Sequence, residues 1–235
     1  MFVLTLGYTS YSRHVENMMD PMISEMSPTA AKVLRASRNL FNEQGFRATT
    51  VAEIAAAAGI APGNVTYHFP TKHDMVVALR EDAARRMEER RRARGDHELV
   101  ERYVLRLVDV YEVAADYRFL LRDRQQFRDV DDDAPPPESM VADFAELRAL
   151  LEEVRAAGLL RSDIELDLDL IGRTLWILGR HWPDHLREVE QRTALTAADR
   201  RRGMEHHFSI LLPTLTAEAR RNFQQALDNL VPCPE

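Results

Sequence analysis

Residues 45–76, GFRATTVAEIAAAAGIAPGNVTYHFPTKHDMV, constrain the fold more than any other stretch. Two helix signals sit here, each too short to stand alone. The first opens at Thr50-Val51-Ala52-Glu53, where the threonine hydroxyl can take the amide of Glu53 and the glutamate can return to the amide of Thr50. Ile54, Ala55 and Ala58 fall on its inner face, and Gly59 stops it. Pro62 opens the second helix, which runs to about Phe69 and is closed by Pro70. Only Gly59-Ile60-Ala61 separates the two, and Ala55, Ala56 and Ala58 allow close approach. Helices this short are marginal in water, so neighbouring helices must cover them.

Those neighbours are legible on either side. Ser27-Pro28 is an N-cap followed by proline at the first helical position. Ala30, Val33, Leu34, Ser37 and Phe41 then share one face, and Gly45 ends the helix. Thr71, with Asp74 three residues on, caps a long helix reaching about Arg92, and Gly95-Asp96 marks a boundary. Helix signals continue beyond it. Leu99, Tyr103, Leu107, Val110, Tyr111 and Ala114 mark one, and Tyr117 to Arg128 another. After an acidic, proline-rich loop at 129–137, Val141, Phe144, Leu147, Leu151 and Val154 lead to a stop at Gly158. A further helix runs from Asp167 toward Trp182, where Pro183 is expected to kink or end it, and Thr196 and Thr216 cap the last two. No run of alternating β-branched residues bounded by turns appears, so the class is all-α. The expected layout is a disordered extension over 1–26, a three-helix module over 27–87 with its motif at 50–69, and a helical bundle over 88–235. Met18, Met19, Met22 and Met26 are alternative starts.

Charge separates the two modules. The formal net charge is −7, which by itself argues against nucleic acid. Residues 27–94, however, carry 12 Lys and Arg against 7 Asp and Glu, whereas residues 95–235 carry 18 against 28. Only the first module suits a phosphate backbone. Cys233 is the single cysteine, so no intrachain disulfide can form, and a reducing cytoplasm is expected. The apolar run near the start is broken by Thr5, Gly7 and Thr9 and lacks a preceding basic residue, unlike a secretory leader. Nothing reaches the length of a membrane span, and no membrane partner is expected.

Two short helices meeting across a glycine turn, braced by a helix before and after, make a helix-turn-helix, whose second helix enters the DNA major groove. The exposed chemistry fits: Gly63 offers bare backbone, Asn64, Thr66, Tyr67 and His68 offer hydrogen bonds, and Lys72 can reach a phosphate. A surface helix pair packed on a bundle would share much of this pattern. Gly45, Thr49-Thr50, Ile54-Ala55, Ala58-Gly59, Gly63, Val65, His68-Phe69 and Lys72 resemble, at matching spacing, the DNA-binding domain of the TetR family of repressors. The likeness is specific over 27–87 and only architectural beyond. It implies that Thr50, Asn64, Tyr67, His68 and Lys72 hold phosphates while Ala52, Pro62, Gly63 and Thr66 face base edges. It also implies a long fourth helix leading into a C-terminal ligand-binding and dimerisation bundle, an inverted-repeat operator, and a homodimer. One departure is plain: Thr66 stands where the family commonly has an aromatic residue, and Tyr67 carries the aromatic instead. The recognition helix also lacks Arg and Lys, so no bidentate guanine contact comes from it, and DNA shape must supply part of the specificity.

Elsewhere the signals are weaker. An unidentified small organic effector is expected in the bundle, lined by Tyr103, Leu107, Tyr111, Phe119, Phe144, Trp176 and Arg180, because cavities between helices commonly hold ligands. The dimer seam is expected at Leu175, Leu178, Phe208, Leu211 and Leu212. His181 and His185 have a spacing that can bind metal, but Pro183 lies between them, and no metal site is expected. No nucleophile–base pair, phosphate-cradling glycine loop or cofactor fingerprint appears, so neither a cofactor nor an enzyme is expected. An all-helical enzyme or simple small-molecule binder stays a different-class alternative. A non-switching DNA binder is another, disfavoured by the acidic C-terminal part.

Overall fold

The computed structural model describes residues 20–127, 138–192 and 195–230. Among these residues it is helical throughout: α1 (Pro21–Glu25), α2 (Pro28–Gln44), α3 (Val51–Ala58), α4 (Pro62–His68), α5 (Lys72–Arg94), α6 (Leu99–Asp116), α7 (Arg118–Arg122), α8 (Glu138–Ala156), α9 (Leu168–Glu188), α10 (Ala197–Leu211) and α11 (Ala217–Leu230). Extended pairing among them amounts to an isolated antiparallel bridge between Leu160 and Leu215. The expected loop at 129–137 lies outside the described residues.

The chain divides into two compact units. Of the described residues, one takes 20–90 together with 113–127, and the other takes 91–112 and those from 138 on. This differs from the sequence-based boundary near residue 87, because the end of α6 and all of α7 join the N-terminal unit. There the Phe119 ring packs 5.2 Å from Phe41, and Phe127 packs 4.9 Å from Phe46. Asn42 fastens the return of the chain: its Nδ2 donates to the carbonyl of Asp116 at 2.7 Å, and its Oδ1 accepts the amide of Phe119 at 3.1 Å. Sequence periodicity cannot reveal such a partnership between distant segments.

The expected disorder over 1–26 also needs correction where the structure describes it. Residues 21–25 form α1, and Ile23 is fully buried against the N-terminal core. The helix start is capped from outside. Buried Asp82 on α5 accepts the amides of Met22 and Ile23 at 2.9 and 3.1 Å and the hydroxyl of Tyr117 at 2.5 Å. Free amides at a helix start need such an acceptor. Asp20 in turn takes Arg35 at 2.8 Å and also Arg38. Residues 1–19 lie outside the described residues.

The C-terminal unit encloses its own core, drawn from α6, α8, α9, α10 and α11. Of the two outcomes expected at Pro183, a kink or an end, the end does not occur. The helix runs on to Glu188, because Trp182 and Leu186 on either side of the proline are both held in the core. Within this unit a buried ionic network joins the last turn of α5 to α6 and α8. Arg94 pairs with Asp109 and, at 2.5 Å, with Glu146, while Arg106 binds Asp143 at 2.5 Å.

Candidate nucleic-acid interface

The two short helices form as their end signals demand. Thr50 accepts the Glu53 amide at 3.2 Å, and Glu53 accepts the Thr50 amide at 2.7 Å, closing the capping box. These bonds, the backbone one foremost, hold the Glu53 carboxyl below its usual range. Gly59 ends α3 at φ +69°, a left-handed conformation that favours glycine. The chain then needs only two residues before Pro62 opens α4. Ile54, Ala55 and Val65 point into the core shared with α2 and α5, which fixes the angle at which α4 is presented.

What remains outside is the predicted reading face. Thr50, Ala52, Pro62, Gly63, Asn64, Thr66 and Tyr67 are all exposed, Tyr67 at 82%, while His68 and Lys72 are half-buried. The structure therefore brings the nine sequence-derived residues onto one unit, but two hydroxyls are already engaged. Thr50 is committed to its capping box, and Thr66 donates to the carbonyl of Gly63 at 3.1 Å. No side-chain atom lies within 4 Å of where a Cβ at Gly63 would be, so this position is open to an approaching surface.

Lys72 has a second role that sequence reading missed. Its ammonium donates to the carbonyls of Phe46 and Thr49 at 2.7 and 2.6 Å and sits 4.5 Å from the centre of the Phe46 ring. Partial burial lowers its pKa. The lysine thus ties the start of α5 to the turn that leads into α3, leaving one N–H for a phosphate. Lys72→Ala is expected to lower the unfolding free energy of this unit by about 1–3 kcal/mol, as charge-assisted bonds are lost, and to weaken all duplexes alike. Thermal melts beside duplex titrations check both parts. An unchanged melt would show that the carbonyl contacts contribute nothing.

Similarity to known proteins agrees with this geometry. Residues 33–79 match the family model described as bacterial regulatory proteins, tetR family, and residues 84–223 match that described as bacterial transcriptional repressor. The chain belongs to the TetR family. Among curated relatives it is 36% identical over 62 residues to the HTH-type transcriptional regulator UidR of Escherichia coli K12, a match covering 26% of this chain and 32% of that protein. The chain thus spans about a third of the length of the curated relatives it matches. A TetR-family regulator from Marinobacter aquaeolei superposes with a TM-score of 0.71 at 23% identity, covering 88% of this chain and all of that one. The TetR-family protein CprB from Streptomyces coelicolor, solved in complex with its operator sequence, does so with a TM-score of 0.61 at 20% identity, covering 84% and 94%.

The sequence-based effector and seam residues of this TetR-family chain fall into distinct places. Tyr103, Leu107 and Tyr111 are buried in the C-terminal core. Phe144 and Trp176 meet edge-on at 5.6 Å, with Arg180 over the Trp176 ring at 5.4 Å. Phe119, expected in the same lining, belongs instead to the core of the N-terminal unit, fully buried beside Phe41. Leu175, Phe208 and Leu211 are consumed by the C-terminal core of their own chain, whereas Leu178 and Leu212 are half-buried. His181 and His185 turn to different carboxylates, Asp184 and Glu190, each at 3.5 Å.

Proposed function

We propose that this chain represses transcription as a two-fold homodimer that binds an inverted-repeat operator and lets it go when a small organic effector binds the C-terminal bundle. The supporting observation is the exposed set Pro62, Gly63, Asn64, Thr66 and Tyr67 on the basic stretch 27–94 of an otherwise acidic chain. One such helix reads one half-site, so an inverted repeat calls for two copies. Because Leu175, Phe208 and Leu211 are buried in the core of their own chain, the seam proposed draws on other residues. Leu170, Thr174 and Ile177, spaced along one face of α9, are exposed, and with Leu178 and Leu212 they supply the apolar stripe that a partner copy would cover. The role is regulatory rather than enzymatic. A cytoplasmic setting suits the lone cysteine, and no helix among the described residues is long and apolar enough to cross a membrane.

Effector and operator would act on one equilibrium, so each weakens the other by the same factor. α5, which begins beside the DNA-reading helices and ends in the ionic network of the other unit, is the natural lever. Selection from a random duplex pool at moderate salt is expected to enrich an inverted repeat whose affinity falls steeply as salt rises, because phosphate contacts release counterions. A pool that yields no preferred sequence would overturn the reading.

A further inference from the structure

Side chains of α6 and α10 meet inside the C-terminal core. The Tyr103 hydroxyl lies 2.8 Å from His207 Nε2. Farther along α6, Tyr111 presses on α10 at Gly203: a Cβ built there would lie 2.7 Å from the Tyr111 hydroxyl oxygen and 2.7 Å from Cδ1 of Trp182. Gly203 and His207 are one helical turn apart, so their side-chain positions lie on one face at about 5–6 Å. Tyr111 and His207 are each only 1% exposed, yet the Tyr111 hydroxyl and His207 Nδ1 have no hydrogen-bond partner. Their surroundings are apolar, with Leu107, Trp182, Met204 and Phe208 in the same core. Buried polar atoms are ordinarily paired, and two unpaired ones in the same core call for an explanation.

Proton placement says what would pair them. Burial, and secondarily Arg106, pull the His207 imidazolium down to about 3, so the ring is neutral near pH 7 and carries one N–H. If Nε2 held it, the Tyr103 proton would lack an acceptor. The arrangement that satisfies both has Tyr103 donating to Nε2 and the proton on Nδ1. Two unpaired groups able to donate then remain, Nδ1–H and the Tyr111 hydroxyl. A carbonyl oxygen accepts two donors whose heavy atoms are about 5 Å apart. A carboxylate fits poorly, because Arg106, the cation that faces the imidazole, is already bound by Asp143 and an unpaired buried charge is costly.

We infer that the Tyr111 hydroxyl and His207 Nδ1 are the polar pole of the effector site and hold an uncharged, largely apolar ligand by a carbonyl-type oxygen. This rests on the effector reading above. It extends that reading by placing the anchor between α6 and α10 and by naming the ligand chemistry.

The test uses three probes of nearly equal size on the full chain: acetophenone, benzoate and ethylbenzene. Calorimetric titration is expected to give acetophenone at least about tenfold tighter binding than ethylbenzene, with benzoate weakest. With ¹⁵N-labelled histidine, the His207 Nδ1 resonance moves with acetophenone and stays with ethylbenzene. Tyr111→Phe removes a hydroxyl that has no partner, so its melt without probe is unchanged or higher, while the preference for acetophenone falls severalfold. Equal binding of acetophenone and ethylbenzene, a preference untouched by Tyr111→Phe, benzoate binding tightest, or no binding by any probe would overturn the inference. In the last case a buried water serves the two groups. A protein that releases its operator to an effector indifferent to Tyr111→Phe loses this inference and keeps the repressor reading. A protein that shows the acetophenone preference yet selects no DNA keeps the inference and loses that reading.

Discussion

Asp109→Ala is expected to lower the unfolding free energy by about 3 kcal/mol, the scale on which breaking a buried ion pair acts. Asp109 and Arg94 are both 0% exposed and paired with each other. Removing the carboxylate leaves a guanidinium that cannot shed its proton and is far from bulk water, still paired with Glu146 but short of one carboxylate. Asp109→Asn keeps the shape and one acceptor and should fall between the two. The control is Asp169→Ala, which breaks a surface pair with Arg148 at 2.7 Å where both partners are about half exposed. That change should stay within about 0.5 kcal/mol. Urea unfolding of the three variants decides it, and equal effects from Asp109→Ala and Asp169→Ala would contradict the network. Because Arg94 closes the last turn of α5, Asp109→Ala should also reduce the coupling between effector and operator.

Asp82→Ala is expected to cost about 2–4 kcal/mol, from the loss of one buried acceptor serving three donors. The amides of Met22 and Ile23 lose their cap, and Tyr117 loses its main acceptor. A chain beginning at Met26 should be destabilised for the same reason, since it also strips Arg35 and Arg38 of Asp20 and uncovers the site of Ile23. The two changes share contacts, so they should not add: in the shortened chain, Asp82→Ala costs less than in the full one. Strict additivity in chemical unfolding would show that α1 is not held by Asp82. The result bears on where a working chain can begin. Of the internal methionines, Met26 has the best helix signal after it, yet starting there discards part of the N-terminal core.

The helices were legible because their ends carry side chains with one local job. Thr50 with Glu53, Gly59, Pro62 and Thr196 act within a turn of themselves, and the structure uses each as read. What stayed hidden depends on partners far along the chain. Nothing near Phe119 announces that it will pack on Phe41, so an aromatic at helical spacing was assigned to the wrong unit. Leu175, Phe208 and Leu211 form apolar stripes, but a stripe does not say whether its partner is the same chain or a second copy, and here it is the same chain. Lys72 was read from its charge as a phosphate contact, whereas two carbonyls in the turn before α3 already engage it. Nothing adjacent in sequence announces the arginines that Asp20 holds or the amides that Asp82 caps.

Gly63→Asp tests the central claim most directly. The position is open: a Cβ built there meets nothing within 4 Å in the free protein. It also lies in the first turn of α4, where a carboxylate favours the helix dipole. The variant should therefore melt no lower than the parent. On DNA the same carboxylate would be pressed against phosphates or base edges, and affinity for the duplex selected by the parent protein should fall at least about a hundredfold, as expected for burying an unpaired charge beside the backbone. Parent-like affinity in a protein that melts as the parent does would contradict the placement of α4 in the groove.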